Sequence, residues 1–306
     1  MNAVELKNIV KKYSTKKSSV TAVDDVSFIV NEGELFGLIG PDGAGKSTIF
    51  RILTTLLLPD SGNATVLDYD IIKDWKEIRN IVGYMPGRFS LYQDLTVEEN
   101  LEFFATVFNT TIQENYELVA DIYKQLEPFK NRRAGKLSGG MKQKLALSCA
   151  LIHKPKILFL DEPTTGVDPV SRKEFWEMLI RLKKQGISIL VSTPYMDEAN
   201  LCDRIALMQA GKVLDINTPE NIVNKFEKNL FAVRSGNMFN LLNDLRSFPQ
   251  IESCFAFGDN HHVVIDESIL NLVDLKKYLL SKKHTEISIS SIEPTIEDRF
   301  MQLMKK

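Results

Sequence analysis

The stretch 34–57, ELFGLIGPDGAGKSTIFRILTTLL, decides the reading of this chain. Residues 35–39 are a short apolar run that ends in a glycine-rich turn. From Ser47 the apolar residues recur at helical spacing, so the pattern reads as strand, loop, helix. Gly40, Pro41, Asp42, Gly43, Ala44, Gly45, Lys46 and Ser47 match the pattern G-x4-G-K-[S/T], which average composition would produce in about one chain in a hundred of this size. The glycines allow a tight loop with inward-pointing N–H groups, and the following helix adds its positive N-terminal end. A polyphosphate is the expected ligand. Lys46 would reach its outer phosphates, and the Ser47 hydroxyl would be offered to magnesium.

Further along, Ile157 to Leu160 read as a buried parallel strand whose carboxyl end delivers Asp161 and Glu162. Ligands collect at that edge in open α/β sheets. Asp161 is expected in the magnesium shell, and Glu162 as the group that aligns and polarises an attacking water. Asp168 and Pro169 have the residue types of an N-cap and a first helical position. Leu137, Ser138, Gly139, Gly140 and Met141 precede a helix carrying Leu145, Cys149 and Ile152 on one face, which makes a second anion site. Two phosphate devices on one chain suggest ATP clamped between two chains.

The remaining pattern sets the architecture. Strands and helices alternate before and after a mainly helical insertion, where Thr96 and Glu99 can form a capping box and Leu101, Phe104, Ala105 and Phe108 share a face. The expected fold is α/β, with residues 1–225 as one nucleotide-binding domain and a helical subdomain at about 87–150. Residues 226–306 restart as two strand-helix-strand units, consistent with a small ferredoxin-like α+β domain. The run KKYSTKK at 11–17 reads as a solvated loop. Adjacent His261 and His262 on a strand would face opposite ways, which argues against a shared metal.

Composition narrows the function classes. The chain has 306 residues, 44% of them apolar, with 38 Lys and Arg against 40 Asp and Glu and a net charge of -2. No cationic surplus marks a nucleic-acid or membrane-surface binder. Cys149, Cys202 and Cys254 are widely spaced without a CxxC pair, which argues for a reducing compartment rather than a disulfide or zinc framework. The start lacks the features of a signal peptide, and no apolar run reaches about 18 residues, so the chain is not expected to cross a membrane.

Together these residues resemble the ATP-binding subunits of ABC transporters over about residues 4–220. GPDGAGKST (40–48, including Thr48) is similar to the Walker A motif, LSGGMKQKLAL (137–147) to the ABC signature, ILFLDEP (157–163) to Walker B and TTGVDP (164–169) to the D-loop, in which Asp168 lies. The resemblance places Tyr13 where the family stacks an aromatic on adenine. VGYMPGRFSLYQDLTVEENL (82–101) and STPYMDEA (192–199) are similar to ATPases of drug and antibiotic exporters, and 291–304 resembles their C-terminal extension. It implies a cytoplasmic subunit, peripheral on the inner face of the membrane, that binds ATP and Mg2+ and works with a separate membrane permease.

Two departures stand out. Where the family has a Gln that contacts magnesium and water, this chain has Gly87. Where it has a His facing the γ-phosphate, this chain has Pro194, which the pattern places at a first helical position. Losing such groups typically costs about 10² to 10⁴ in rate. The resemblance therefore implies a slow Walker site paired with a second ATPase chain in a heterodimer. An active homodimer in which Glu162 suffices stays open. A ribosome- or DNA-acting ABC ATPase and a non-catalytic ATP-binding scaffold are the competing readings. The single P-loop, the single signature and the lack of a long coiled coil oppose the former.

Overall fold

The computed structural model describes residues 1–14, 19–265 and 271–304. Of the loop expected at 11–17, residues 15–17 lie outside the described residues, and 11–14 are not a loop but the paired end of the first strand. The chain divides into two compact units, Met1–Pro219 and Glu220–Lys306. The division thus falls at Pro219, ahead of the Lys225 boundary expected from sequence.

The first unit is built on two sheets. Strands β1 (Asn2–Ser14), β2 (Ser19–Asn31), β4 (Ser61–Val66) and β5 (Tyr69–Asp70) form an antiparallel sheet in the order β2-β1-β4-β5. Strands β3 (Leu35–Ile39), β6 (Val82–Met85), β7 (Ile157–Asp161), β8 (Ser188–Thr193), β9 (Arg204–Gln209) and β10 (Lys212–Asn217) form the central sheet, ordered β10-β9-β3-β8-β7-β6. Every pairing there is parallel except β10 with β9. Strands β3, β7 and β8 are buried at every position, as continuous apolar runs in a two-sided parallel sheet should be.

Helix α1 (Lys46–Leu53) lies within the core that joins the two sheets. Its Ile49, Phe50, Ile52 and Leu53 pack with Leu6 and Ile9 of β1 and with Phe159 of β7. Phe50 meets Phe159 edge to face at 6.1 Å, and Phe28 stacks on Phe36 at 5.4 Å. The helical part of the unit comprises α2 (Trp75–Ile81), α3 (Val97–Val107), α4 (Tyr116–Leu126) and α5 (Gly139–Leu151), and α6 (Pro169–Lys184) follows β7. The Thr96/Glu99 capping box of α3 forms as its spacing predicts. Helix α7 (Pro219–Asn224) straddles the division between the units.

The second unit carries β11 (Leu230–Arg234), α8 (Met238–Ser247), β12 (Ile251–Phe257), β13 (Asn260–Ile265), α9 (Leu272–Ser281), β14 (Ser288–Ser291) and α10 (Ile296–Leu303). Its strand order β12-β13-β11-β14, all antiparallel, is the ferredoxin-like arrangement. His261 bonds the Met238 carbonyl at 2.8 Å, while His262 bonds Asp298 of α10 at 2.7 Å. The two imidazoles thus serve opposite faces of β13. No group of three metal-ligating side chains occurs among the described residues. Nor, among those residues, is any helix long and apolar enough to cross a membrane.

Because α1 is held by large apolar side chains against β7, Phe50→Ala should lower the unfolding free energy of the first unit by about 3–5 kcal/mol. Chemical denaturation measures it, and an unchanged transition would contradict this packing.

Candidate functional site: a phosphate cradle and a Ser-Gly-Gly turn

The strand order brings the carboxyl ends of β3, β8 and β7 side by side. Three loops therefore converge: 40–45 after β3, the turn after Thr193, and Asp161–Glu162. The Gly40 N–H donates to the Thr193 carbonyl at 3.3 Å, which ties the first two together. The loop takes its shape from glycine. A Cβ on Gly40 would lie 2.2 Å from the Met208 carbonyl oxygen, and one on Gly45, at φ 104°, would lie 2.3 Å from that of Ala22. Gly45 also caps α1 without a side-chain bond, so the first N–H groups of α1 have no side chain covering them.

Lys46 opens α1 and is 3% exposed. Its ammonium donates to the carbonyls of Gly40 (2.8 Å) and Pro41 (3.0 Å) and pairs with Glu162 Oε1 at 3.2 Å. Glu162 sits at φ 50°, left-handed backbone that costs a non-glycine residue about 1–3 kcal/mol. Its N–H is held by the carbonyl and the hydroxyl of Ser192, at 3.1 and 3.0 Å. Asp161 is buried and accepts from Ser192 Oγ at 2.7 Å through Oδ1, while Oδ2 faces Gly87. Ser47 and Thr48 are half-buried in the first turn of α1, Ala44 is buried, and Asp42 and Gly43 are exposed at the tip. The structure therefore brings Gly40 through Thr48, Asp161 and Glu162 to one place. Tyr13 lies on the β1–β2 hairpin opposite Val20, 41% exposed, and Ala22 of the same hairpin abuts the loop at Gly45.

The donor set fits a triphosphate with a hard divalent cation: uncovered N–H groups, a buried ammonium, one hydroxyl and one buried carboxylate. Such a cation usually takes few protein ligands when phosphates supply the rest.

Ser138, Gly139 and Gly140 form the start of α5, as expected, with Ser138 as N-cap accepting from the Met141 N–H at 3.3 Å. Ser138 and Gly139 are exposed, whereas Gly140 is buried against the start of α6. A Cβ on Gly140 would lie 2.6 Å from Ser171 Oγ. Asp168 caps α6 by accepting from the Ser171 N–H at 3.0 Å, with Pro169 first in the helix. That bond holds the Asp168 carboxyl below its usual range. The cap is therefore intact above the ordinary carboxylate range and is lost as pH falls through the lowered value.

Gly87 lies beside Asp161: a Cβ there would sit 3.2 Å from the Asp161 carbonyl and 3.6 Å from Oδ2. Pro194 departs from expectation. It stands in a bend, and the helix following it begins only at Met196, as a 3-10 turn through Leu201. The Tyr195 N–H bonds Thr193 Oγ1 at 3.0 Å and holds the chain in that bend.

Sequence reasoning missed Glu198. This carboxylate is 2% exposed and accepts from Thr164 Oγ1 (2.8 Å), Thr193 Oγ1 and Arg172 Nε (3.0 Å). Its partners lie up to 34 residues away on separate segments, so no local spacing marks it.

Between β6 and helices α3 and α5 opens a largely apolar cavity of about 490 Å3, lined by Tyr84, Met85, Leu91, Phe104, Phe108 and His153 among others. Burial pushes His153 down, so its imidazole is neutral at neutral pH, stacked on Phe108 at 3.8 Å. Burial and the charge of Asp161 push Tyr84 up to about 12.

Residues 23–165 match the family profile described as ABC transporter. The chain is 39% identical over 287 residues to the probable multidrug ABC transporter ATP-binding protein YbhF of Escherichia coli K12, covering 92% of this chain and 49% of that protein. It thus spans about half the length of that relative. It is 33% identical over 310 residues to the Nod factor export ATP-binding protein I of Bradyrhizobium diazoefficiens, covering 98% and 96% of the two chains. Among solved structures, the dimeric post-hydrolysis state of the ATP-binding cassette MJ0796 bound to ADP and Pi aligns with a TM-score of 0.64 at 27% identity, over 70% of this chain and 98% of that one.

The close approach at Gly140 is testable. Gly140→Ala should destabilise the first unit by about 1–3 kcal/mol through overpacking, Gly139→Ala should have little effect, and Ser171→Gly should restore the Gly140→Ala protein. Thermal unfolding of the four proteins reads this, and equal melting of the two glycine variants would contradict it.

Proposed function

The chain belongs to the family of ABC transporter ATP-binding domains, and from that premise we propose that it is the ATP-driven subunit of an exporter of drug-like or antibiotic compounds. The observation that carries the proposal is the pairing, on one chain, of a phosphate cradle with a Ser-Gly-Gly turn whose Ser138 and Gly139 are exposed. A domain of this family binds ATP. Here the triphosphate would take over Lys46 from the Gly40 and Pro41 carbonyls and from Glu162. Its charge exceeds that of one carboxylate, and the α1 N-terminus adds fixed donors.

Glu162, released from Lys46, would then orient the attacking water and accept its proton. Ser47 and Asp161 are the residues that would hold magnesium, which neutralises charge on the phosphate oxygens when bound. Ser138 keeps its hydroxyl proton for a phosphate oxygen, because in the N-cap it acts only as an acceptor. That oxygen belongs to ATP in another chain's cradle. Closure of two chains on ATP, and reopening after hydrolysis, would supply the mechanical step.

The apolar cavity, whose lining includes Pro86 just before Gly87, suits a segment of a membrane permease, which would hold this chain at the inner face of the membrane. Relatives named for multidrug transport and Nod factor export support export over import.

Gly87 and Pro194 support a slow site on this chain, paired with a second ATPase chain. Neither position offers a polar side chain to the reacting centre, although a Cβ at 87 would crowd only the Asp161 carbonyl. The double variant Gly87→Gln/Pro194→His should therefore raise ATP turnover of the purified chain by about 10² or more, and Glu162→Gln should abolish the gain. Robust wild-type turnover that the double variant does not improve would overturn the slow site. Gly139→Asp, which sets a charge against phosphate on the turn, should stop transport by the assembled complex. Retained transport would remove the two-chain clamp.

A further inference from the structure

Glu198 has no place in the cradle, yet it gathers two segments that border it and a third that packs on the Ser-Gly-Gly turn. Thr193 precedes Pro194, and its carbonyl takes the Gly40 N–H. Thr164 follows Glu162 by one proline. Arg172 stands in α6, next to the Ser171 hydroxyl that packs on Gly140. The Arg172 guanidinium donates from Nε to Glu198 Oε1 at 3.0 Å, brings Nη2 within 2.9 Å of the same oxygen as an ion pair, donates from Nη2 to Asp197 at 3.3 Å, and lies 4.2 Å over the Tyr195 ring. Both hydroxyls and the guanidinium therefore converge on one buried carboxylate.

A planar guanidinium paired with a buried carboxylate, with its second nitrogen held by Asp197, fixes position more narrowly than a surface pair does. A displacement of Thr193 or Thr164 is thus passed through Glu198 to Arg172, and by way of Ser171 to Gly140. We propose that Glu198 is a positioning residue that couples the chain's own phosphate cradle to the Ser138–Gly140 turn it offers a second chain. The proposal rests on the ATP reading above. It also gives an idle cradle a use: ATP bound there without rapid hydrolysis would still set the turn that completes the other site.

Amide hydrogen exchange of the full chain, with and without Mg-ATP, at a concentration where sedimentation shows a monomer, tests this. In the wild type, Mg-ATP should slow exchange at 40–49 and, by about fivefold or more, at 139–144. Glu198→Gln keeps a partner for the threonine hydroxyls and removes the charge facing Arg172. It should retain ATP affinity and the protection at 40–49 and lose the response at 139–144. Arg172→Lys, which keeps the charge without the planar guanidinium, carries the same expectation should Glu198→Gln fail to fold. An unaltered response at 139–144 in the variants, or a uniform loss of protection that is present without nucleotide, would overturn the coupling. Wild type protected at 40–49 alone would do the same. Wild type protected at neither segment would instead defeat the ATP reading, and the proposal with it.

Discussion

A buried ammonium at the open end of a helix is the constraint on which this molecule turns. Lys46 is almost wholly removed from water and satisfies its charge with two carbonyls and Glu162. Burying a lone cation is prohibitive, so those partners or a stronger anion must always be present. The helix that carries it is fixed by packing, with Phe50 and its neighbours set among side chains of both sheets. The N–H groups and the ammonium are therefore aimed before any ligand arrives, and preorganisation of this kind makes electrostatic binding effective.

The same geometry explains why residues far apart in sequence act at one place. Strand β8 lies between β3 and β7, so Thr193, Gly40 and Asp161 emerge from adjacent strand ends. Behind them Glu198 draws in Thr164 and Arg172, and the start of α6 meets the start of α5 at Gly140. The phosphate cradle and the Ser-Gly-Gly turn are thus opposite ends of one connected framework. Gly87 and Pro194 sit within that framework without loosening it, since the loops are held by backbone bonds and by Glu198.

Where chemistry is local, the sequence was legible. The strand, glycine loop and helix at 34–57 stand where the pattern places them. So do the Thr96/Glu99 box and the Asp168 cap, because each depends on residues within four positions of one another. The ferredoxin-like order of the second unit follows from alternation and turns in the same way. The antiparallel sheet of β1 and β2 was not read. Left-handed Asn8 and Asp25 and several register shifts break the alternation that marks a strand. Pro194 was placed inside a helix because proline suits a first turn; the Thr193 hydroxyl holds a bend there instead. Glu198 was invisible because a buried carboxylate is defined by its partners, which here come from three segments.

The claim that most needs direct measurement is that one chain's cradle and another chain's turn enclose the same nucleotide. Asp42 and Gly139 are both exposed, and the three native cysteines are buried, so single cysteines at 42 and 139 can be joined by a short thiol cross-linker against a low background. With the complete complex, a cross-link between chains, joining the loop of one to the turn of the other, should appear with Mg-ATP and be absent without nucleotide. Saturating Mg-ATP that leaves the two positions unlinked, or linkage that ignores nucleotide, would contradict it.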